Sequence, residues 1–264
     1  MKPSSSLSIQ QYGSGEQPLV MVHGWAMHCG LFQPLLNMLA SRFRLYLLDL
    51  PGHGINHSSS LALRPQAVVD QVAGQLPDQA IWLGWSMGGL FAIEAARQGR
   101  AGGLVMLAST PCFVRRADWP HAVASTVFED FSRRLEHSVS DTLKRFLLLE
   151  THGAEHPREL LKTMQTLLTE QPEPSSQTLA SGLDLLCQQD SRSAVVDLAI
   201  PTLWLAGRRD RLVPWQAARD LAKRMPESRV RLFERAGHAP FITDTDKIAE
   251  SLVRFGRHVL ESTT

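Results

Sequence analysis

The sequence predicts an α/β fold, a doubly wound layer structure around a mainly parallel sheet. Short apolar runs of strand length recur along the chain, and helix-like stretches separate them. Two of these runs stop at a glycine or a Pro-Gly turn, where strands commonly end. Strands that alternate with helices form βαβ units, and such units build a parallel sheet with helices on both faces.

Six runs are predicted as strands. Five are mainly apolar, as expected of strands buried on both faces, whereas the last alternates polar and apolar residues and is expected nearer the sheet edge. The six runs span residues 19–23, 45–49, 80–84, 104–108, 202–206 and 229–233. The helical stretches between and after them lie at about 31–41, 65–76, 88–98, 216–225 and 246–260.

The alternation stops between residues 113 and 188, where no strand-like run occurs and four helical segments are expected. The second of these segments has Ser140 as a plausible N-cap. The segments span about 120–137, 140–151, 157–170 and 176–188. We therefore expect an all-helical cap, residues 113–188, inserted over the active edge of the sheet. The core would consist of two parts, residues 1–112 and 189–264.

Composition limits the classes of function. Of the 264 residues, 44% are hydrophobic, enough for a sizeable core, and 27 basic residues nearly balance 26 acidic ones. This balance disfavours a nucleic-acid or membrane-surface binder. Residues 1–11 lack the apolar run of a secretory signal, and no stretch approaches the ~18 apolar residues of a membrane span. The three widely separated cysteines have no metal-ligand spacing, so we expect reduced thiols in a cytoplasmic protein. A monomer is also expected.

A serine stands where a strand turns sharply into a helix. The segment Gly84-Trp85-Ser86-Met87-Gly88 follows one predicted strand and opens a predicted helix, which is the context of a G-x-S-x-G nucleophile elbow. Side chains at positions 84 and 88 would collide across so tight a turn, and the serine is expected in a strained backbone conformation. The sequence therefore predicts Ser86 as a nucleophile.

A serine hydroxyl needs a base at neutral pH, and a histidine and an aspartate follow later strands in the chain order expected for this elbow. His238 comes just after the last strand, and Asp210 lies in the loop after the fifth. Carboxyl ends of parallel strands meet at one sheet edge, so we expect Ser86, His238 and Asp210 to converge there. Asp190 and Asp197 are the competing acids, but neither follows a strand end in the same way.

Backbone N–H groups for an oxyanion hole are expected from the loop after the first strand and from the elbow. Trp25 and Met87, the residue after the nucleophile, are the two predicted donors. His23 is expected to support this loop rather than to transfer protons. Trp25, Trp85 and Phe146 are also candidates for substrate contacts near the nucleophile or under the cap, with ordinary core packing as an equal alternative.

These motifs resemble those of α/β-hydrolases over almost the whole chain. The matching segments are His23-Gly24-Trp25, residues 49–54, residues 84–89 and residues 237–241. More narrowly, the chain is similar to the family of pimeloyl-[acyl-carrier protein] methyl ester esterases of biotin synthesis. The segments that carry the narrower resemblance are residues 80–86, 109–113 with 119–120, 144–147 and 238–242.

The narrower resemblance implies a serine carboxyl-ester hydrolase that needs no cofactor or metal. Its substrate would be the methyl ester of pimeloyl-acyl-carrier protein, and its products methanol and the pimeloyl-carrier protein. It also implies basic residues near the entrance that meet the acidic carrier, at Arg145, Arg158 and Lys162, whereas Asp141 is acidic where another base is expected. Residues 113–188 contain eight basic and eleven acidic residues, a net charge of −3, so docking would have to rest on local clusters.

The sequence leaves three alternatives open. One is a general short-chain carboxylesterase with no carrier-protein substrate, because the triad does not distinguish the two. Another is a carbon–carbon hydrolase or lyase on the same scaffold, which also uses serine, histidine and aspartate. The last is a non-catalytic ligand-binding protein on a hydrolase fold.

Overall fold

The computed structural model describes residues 6–263, and within that range it contains one seven-stranded sheet. The strand order is β1-β3-β2-β4-β5-β6-β7. Strand β1 runs antiparallel to β3, and the other five pairs of neighbours are parallel. The strands are β1 (Gln10–Tyr12), β2 (Gln17–Val22), β3 (Phe43–Leu48), β4 (Ala80–Trp85), β5 (Ala101–Leu107), β6 (Thr202–Gly207) and β7 (Ser228–Phe233).

The predicted strands are confirmed within a few residues, and so is the mainly parallel α/β fold. Strand β7 lies at the sheet edge, as its alternating pattern indicates, whereas β4 and β5 are buried along their whole length. Strand β1 was not predicted, because its three residues are polar or exposed and too few to show a pattern. The prediction that residues 1–11 carry no secretory signal falls partly on residues 1–5, which lie outside the described residues.

Helices cover both faces of the sheet. On β5, a side chain at Gly103 would point at Val259 and Phe255, whereas Met106 lies against the start of α3 at Gly89. Residues three apart on a strand face opposite sides, so α3 and α11 lie on opposite faces of the sheet. The helices flanking the sheet are α1 (Gln33–Leu39), α2 (Pro65–Val72), α3 (Gly88–Arg97), α8 (Arg192–Val196), α9 (Trp215–Ala222), α10 (Pro240–Thr243) and α11 (Thr245–Thr263).

Four further helices, which we call the inserted helices, lie between β5 and β6 in the chain. Helix α4 packs against α5 and α7, and α5 packs against α6. The inserted helices are α4 (Ser125–His137), α5 (Val139–Thr151), α6 (Pro157–Leu168) and α7 (Ser176–Gln188). The four helical segments expected here are therefore present, while the division of the chain into core and cap stays a prediction.

Two details of the inserted helices differ from expectation. The N-cap of α5 is Ser138, not Ser140: the Ser138 hydroxyl accepts a hydrogen bond from the Asp141 N–H at 3.2 Å, and Ser140 already lies in the first turn. Helix α4 begins at Ser125 rather than at residue 120. The residues before it form isolated bridges instead, one of which pairs Val114 with Val123.

No helix among residues 6–263 is both long enough and apolar enough to cross a bilayer.

The loops after β6 and β7 approach each other closely at two glycines. A side chain on Gly207, the last residue of β6, would collide with the carbonyl oxygens of Gly237 and Ala236. The Arg209 N–H also donates to the Ala236 carbonyl at 3.0 Å. The absence of a side chain at position 207 therefore lets the two loops pack backbone to backbone, and these loops carry Asp210 and His238.

We expect Gly207→Ala to lower the free energy of unfolding by about 1–3 kcal/mol, because the new methyl group would meet rigid backbone rather than a flexible side chain. Urea unfolding measures this change. Gly74→Ala is the matched control, since a side chain at Gly74 would meet no atom within 4 Å, and its effect should stay within about 0.5 kcal/mol. Equal stability of the two variants would contradict the close approach.

Candidate active site

Ser86 occupies a strained turn between β4 and α3. Its φ of 54° lies in the left-handed region, which is costly for a residue with a side chain. Hydrogen bonds hold this conformation: the Ser86 N–H donates to the Leu107 carbonyl at 3.0 Å, and the Ser109 hydroxyl donates to the Ser86 carbonyl at 2.6 Å. The serine predicted as nucleophile is thus fixed at the carboxyl end of a central strand.

Gly84 has the steric role across the turn that the sequence indicates, whereas Gly88 is confined by the end of β2 instead. A side chain at Gly84 would collide with the Gly88 carbonyl, and one at Gly88 would collide with the Val22 carbonyl at the end of β2. At Gly24 a Cβ would lie 3.1 Å from the Ser86 Cβ. Glycine at these positions lets the loop after β2 pass directly beside the serine.

The structure brings Asp210 and His238 into direct contact. Asp210 Oδ2 lies 2.7 Å from His238 Nδ1, and both side chains are buried. The other carboxylate oxygen of Asp210 accepts the N–H groups of Leu212 and Val213 at 2.8 and 2.9 Å. An ionised carboxylate only accepts hydrogen bonds, so Nδ1 carries a hydrogen and Nε2 is the atom left for other chemistry.

The loop that carries His238 is tied to the serine turn. Trp85, the residue before Ser86, donates its indole N–H to the His238 carbonyl at 2.9 Å. The Trp85 ring is fully buried and packs against Phe241 at 4.8 Å between ring centroids. Trp85 therefore supports the His238 loop from within the core, and its predicted contact with substrate stays a prediction.

Charges around His238 favour its protonated form. Burial lowers the pKa of His238, but the nearby carboxylates of Asp210 and Glu150 outweigh burial and raise this pKa to about 9. His238 Nε2 has no hydrogen-bond partner among the described residues, so no hydrogen bond joins it to the Ser86 hydroxyl in this conformation. Such contacts in free hydrolases are often long and tighten only when substrate binds.

Glu150 is an ionisable residue beside the site that was not predicted from the sequence. Its Oε1 lies 3.6 Å from His238 Nε2, and only 1% of each side chain is exposed. Burial raises the pKa of the Glu150 carboxyl to about 7; the nearby His238 opposes this rise and Asp210 adds to it. A signal was present in the sequence, since Thr142, Phe146 and Glu150 recur every fourth residue on the buried face of α5.

His23 supports the loop after β2, as expected. Its Nε2 accepts the Leu50 N–H at 2.9 Å, and its Nδ1 lies 2.8 Å from the Gly24 carbonyl. Burial lowers the pKa of His23 to about 3, so the imidazole is neutral and can both donate and accept. Trp25 lies in this loop two residues after His23, and Met87 directly follows Ser86. The role of their backbone N–H groups as oxyanion donors stays a prediction.

An aromatic cluster connects the loop after β2 to the inserted helices. The Trp25 indole N–H donates to the Leu179 carbonyl on α7 at 2.9 Å. The Trp25 ring also meets Phe146 edge-on, with 4.6 Å between ring centroids, and Phe131 lies beside both rings. Trp25 and Phe146 are buried, so the core-packing alternative describes this conformation, and their substrate contacts stay predictions.

A cavity of about 530 Å³ lies between the loop after β2 and helices α5 and α6. Its apolar lining includes Met27, Phe146, Leu147 and Leu168. A larger cavity of about 960 Å³ lies elsewhere, between the loop after β3 and α7, and polar side chains dominate its lining. Of these two cavities, the smaller has the more apolar wall, and Ser86, Asp210 and His238 are not among its lining residues.

The three basic residues predicted at the entrance are all exposed. Arg158 and Lys162 lie one turn apart on α6, and Arg145 lies on the neighbouring α5. The acidic Asp141 pairs with Lys144 at 3.5 Å. The structure thus places the basic residues on two packed helices, and their role in binding a carrier stays a prediction.

Comparisons with known proteins agree with this architecture. Residues 19–251 match the profile of the alpha/beta hydrolase family. A pimeloyl-[acyl-carrier protein] methyl ester esterase of Xylella fastidiosa (strain M12) is 44% identical over 240 residues, 90% of this chain and 94% of that protein. An enzyme of the same name from Xanthomonas campestris pv. campestris (strain B100) is 45% identical over 238 residues, with the same coverage of both chains.

Solved structures show the same fold at lower sequence identity. An esterase from Exiguobacterium antarcticum superposes with a TM-score of 0.84 at 24% identity, covering 95% of each chain. A thermophilic esterase from Thermogutta terrifontis gives a TM-score of 0.80 at 20% identity, covering 96% of this chain and 93% of that one. With the sheet, the serine turn and the profile match over most of its length, this chain belongs to the alpha/beta hydrolase family.

Proposed function

We propose that this protein is a carboxylic ester hydrolase that uses Ser86 as nucleophile, His238 as general base and Asp210 to orient the base. The observation that carries this proposal is the buried 2.7 Å contact between Asp210 and His238, on a loop tied to the strained Ser86 turn. The similarity to enzymes named as esterases supports the reaction class.

The reaction follows from these positions. The Ser86 hydroxyl attacks the ester carbonyl while His238 Nε2 takes its proton, and Asp210 stabilises the imidazolium that forms. The N–H groups of Trp25 and Met87 would donate to the developing oxyanion. The imidazolium then protonates the leaving alcohol, and a water molecule activated by His238 releases the acid from Ser86.

We further propose the methyl ester of pimeloyl-acyl-carrier protein as substrate, in biotin synthesis, with methanol and the pimeloyl-carrier protein as products. The names of the Xylella and Xanthomonas relatives support this substrate, and the apolar cavity lined by Phe146 and Leu147 suits a short aliphatic chain. The inserted helices would act as a cap, residues 113–188, with Arg145, Arg158 and Lys162 facing the acidic carrier. A cytoplasmic monomer belongs to the same proposal.

A general short-chain carboxylesterase is the alternative, and the net charge of −3 on residues 113–188 favours it over carrier docking. A carbon–carbon hydrolase or lyase would need polar groups that hold a second carbonyl or a carboxylate. The mainly apolar wall of the cavity beside the loop after β2 includes such groups, among them His28, Lys144 and Gln165, so its lining does not separate the two reactions.

Ser86→Ala should abolish labelling by a fluorophosphonate and lower the rate of ester hydrolysis on the order of 10⁴–10⁶-fold, because the attacking oxygen is gone. Ser193→Ala is the matched control, since Ser193 is exposed, and it should label and turn over like the wild type. Mass spectrometry of the labelled protein measures the outcome. Unlabelled wild type, or equal labelling of Ser86→Ala, would contradict the enzyme proposal and favour a ligand-binding protein.

The double charge reversal Arg145→Glu with Arg158→Glu should raise KM for methyl pimeloyl-carrier protein roughly tenfold, because it repels an acidic partner. KM for a free p-nitrophenyl ester should not change. Steady-state kinetics on both substrates give the comparison, and Arg44→Glu, exposed on β3, is the control. An unchanged carrier KM would argue for the general esterase.

A further inference from the structure

One buried ionisable group beside the candidate site has no role in the proposed reaction. Glu150 extends from α5, one of the inserted helices, to within 3.6 Å of His238 Nε2. That nitrogen is the atom that would take the proton from Ser86. Glu150 Oε2 has no hydrogen-bond partner among the described residues.

Burial of the Glu150 carboxyl costs free energy unless another group stabilises its charge. A buried carboxylate is unfavourable unless it is paired or hydrogen-bonded. Within residues 6–263, the only charged group besides His238 that influences Glu150 is Asp210, which repels it. In that part of the chain His238 is therefore the one group that can stabilise the ionised form of Glu150, and this stabilisation is mutual.

We propose that Glu150 is a positioning residue that acts through His238: its carboxylate holds the imidazole in the protonated form before substrate binds, and so sets the pH at which His238 can serve as a base. The inference rests on the proposed role of His238 as general base. It adds to the triad a second carboxylate, which faces Nε2 where Asp210 faces Nδ1.

The direction of the effect follows from the charges. Burial lowers the pKa of His238, and the two carboxylates of Asp210 and Glu150 together raise it to about 9. Removing the charge of Glu150 leaves Asp210 alone against burial, so the pKa of His238 must fall. A larger fraction of His238 is then neutral near pH 7, and the acid limb of the kcat/KM profile must move to lower pH.

The contact also depends on the inserted helices. Phe146 lies one turn before Glu150 on α5 and packs against Trp25 in the loop after β2. Helix α5 therefore touches both the loop of the predicted oxyanion donor and the predicted base. A shift of α5 that admits substrate would withdraw the carboxylate from Nε2 and free the base at the same time.

The test is an NMR titration of His238 in the wild type, in Glu150→Gln and in Glu136→Gln. Glutamine keeps the shape of Glu150 without its charge, so the pKa of His238 should fall by at least one unit, a tenfold change in the proton equilibrium. Glu136 is exposed on α4, and the same substitution there should leave the titration of His238 unchanged. An equal pKa of His238 in the wild type and in Glu150→Gln would overturn the inference.

Two further measurements are needed. One separates the effect of the Glu150 charge from its contribution to folding, and the other separates the contact between Glu150 and His238 from the proposed ester hydrolysis. Glu150→Asp withdraws the carboxylate by one methylene group and should lower the pKa of His238 by less than Glu150→Gln does. If Glu150→Gln does not fold, the titration of Glu150→Asp is the test. A lower pKa of His238 in Glu150→Asp then supports the inference, and an unchanged pKa overturns it. A shifted titration with no ester hydrolysis by any variant would leave the contact standing and refute the proposed function.

Discussion

The hydrogen bond between Asp210 and His238 organises the candidate site, because both residues lie on loops that leave neighbouring strands at one edge of the sheet. Asp210 uses its second oxygen to accept two backbone N–H groups, which fixes the orientation of the carboxylate. The two loops also pack backbone to backbone where Gly207 meets the Gly237 carbonyl, a contact that leaves no room for a side chain at position 207. This close packing accompanies the 2.7 Å contact between the two ionisable side chains.

Three buried histidines show how strongly nearby charged groups affect the pKa of an imidazole. Burial lowers the pKa of His23 and His53 to about 3, and both stay neutral supports of the loops that follow β2 and β3. Asp49 lies 3.8 Å from His23 Nε2, but its oxygens accept the N–H groups of Cys29 and Ile55. His238 is equally buried, yet two carboxylates raise its pKa to about 9. Burial alone would have made it neutral as well.

The inserted helices do more than cover the sheet edge. They deliver Phe146 to the loop after β2 and Glu150 to His238, from positions one turn apart on α5. The first contact is apolar and stabilises the arrangement, whereas the second buries a carboxylate and is unfavourable without its partner. A helix that carries both contacts links the position of the inserted segment to the protonation of the candidate base.

The amino-acid sequence alone predicts the sheet, the serine turn and the chain order of Ser86, Asp210 and His238. These features rest on local signals: apolar runs, glycines in a tight turn and residues that follow strand ends. Strand β1 was not predicted, because its three residues carry no pattern. The predicted N-cap of α5 was wrong by two residues, because neighbouring serines look alike in sequence. The contact between Glu150 and His238 becomes evident only in the folded chain. That contact joins residues far apart in the chain, and no local periodicity specifies which buried carboxylate meets which imidazole.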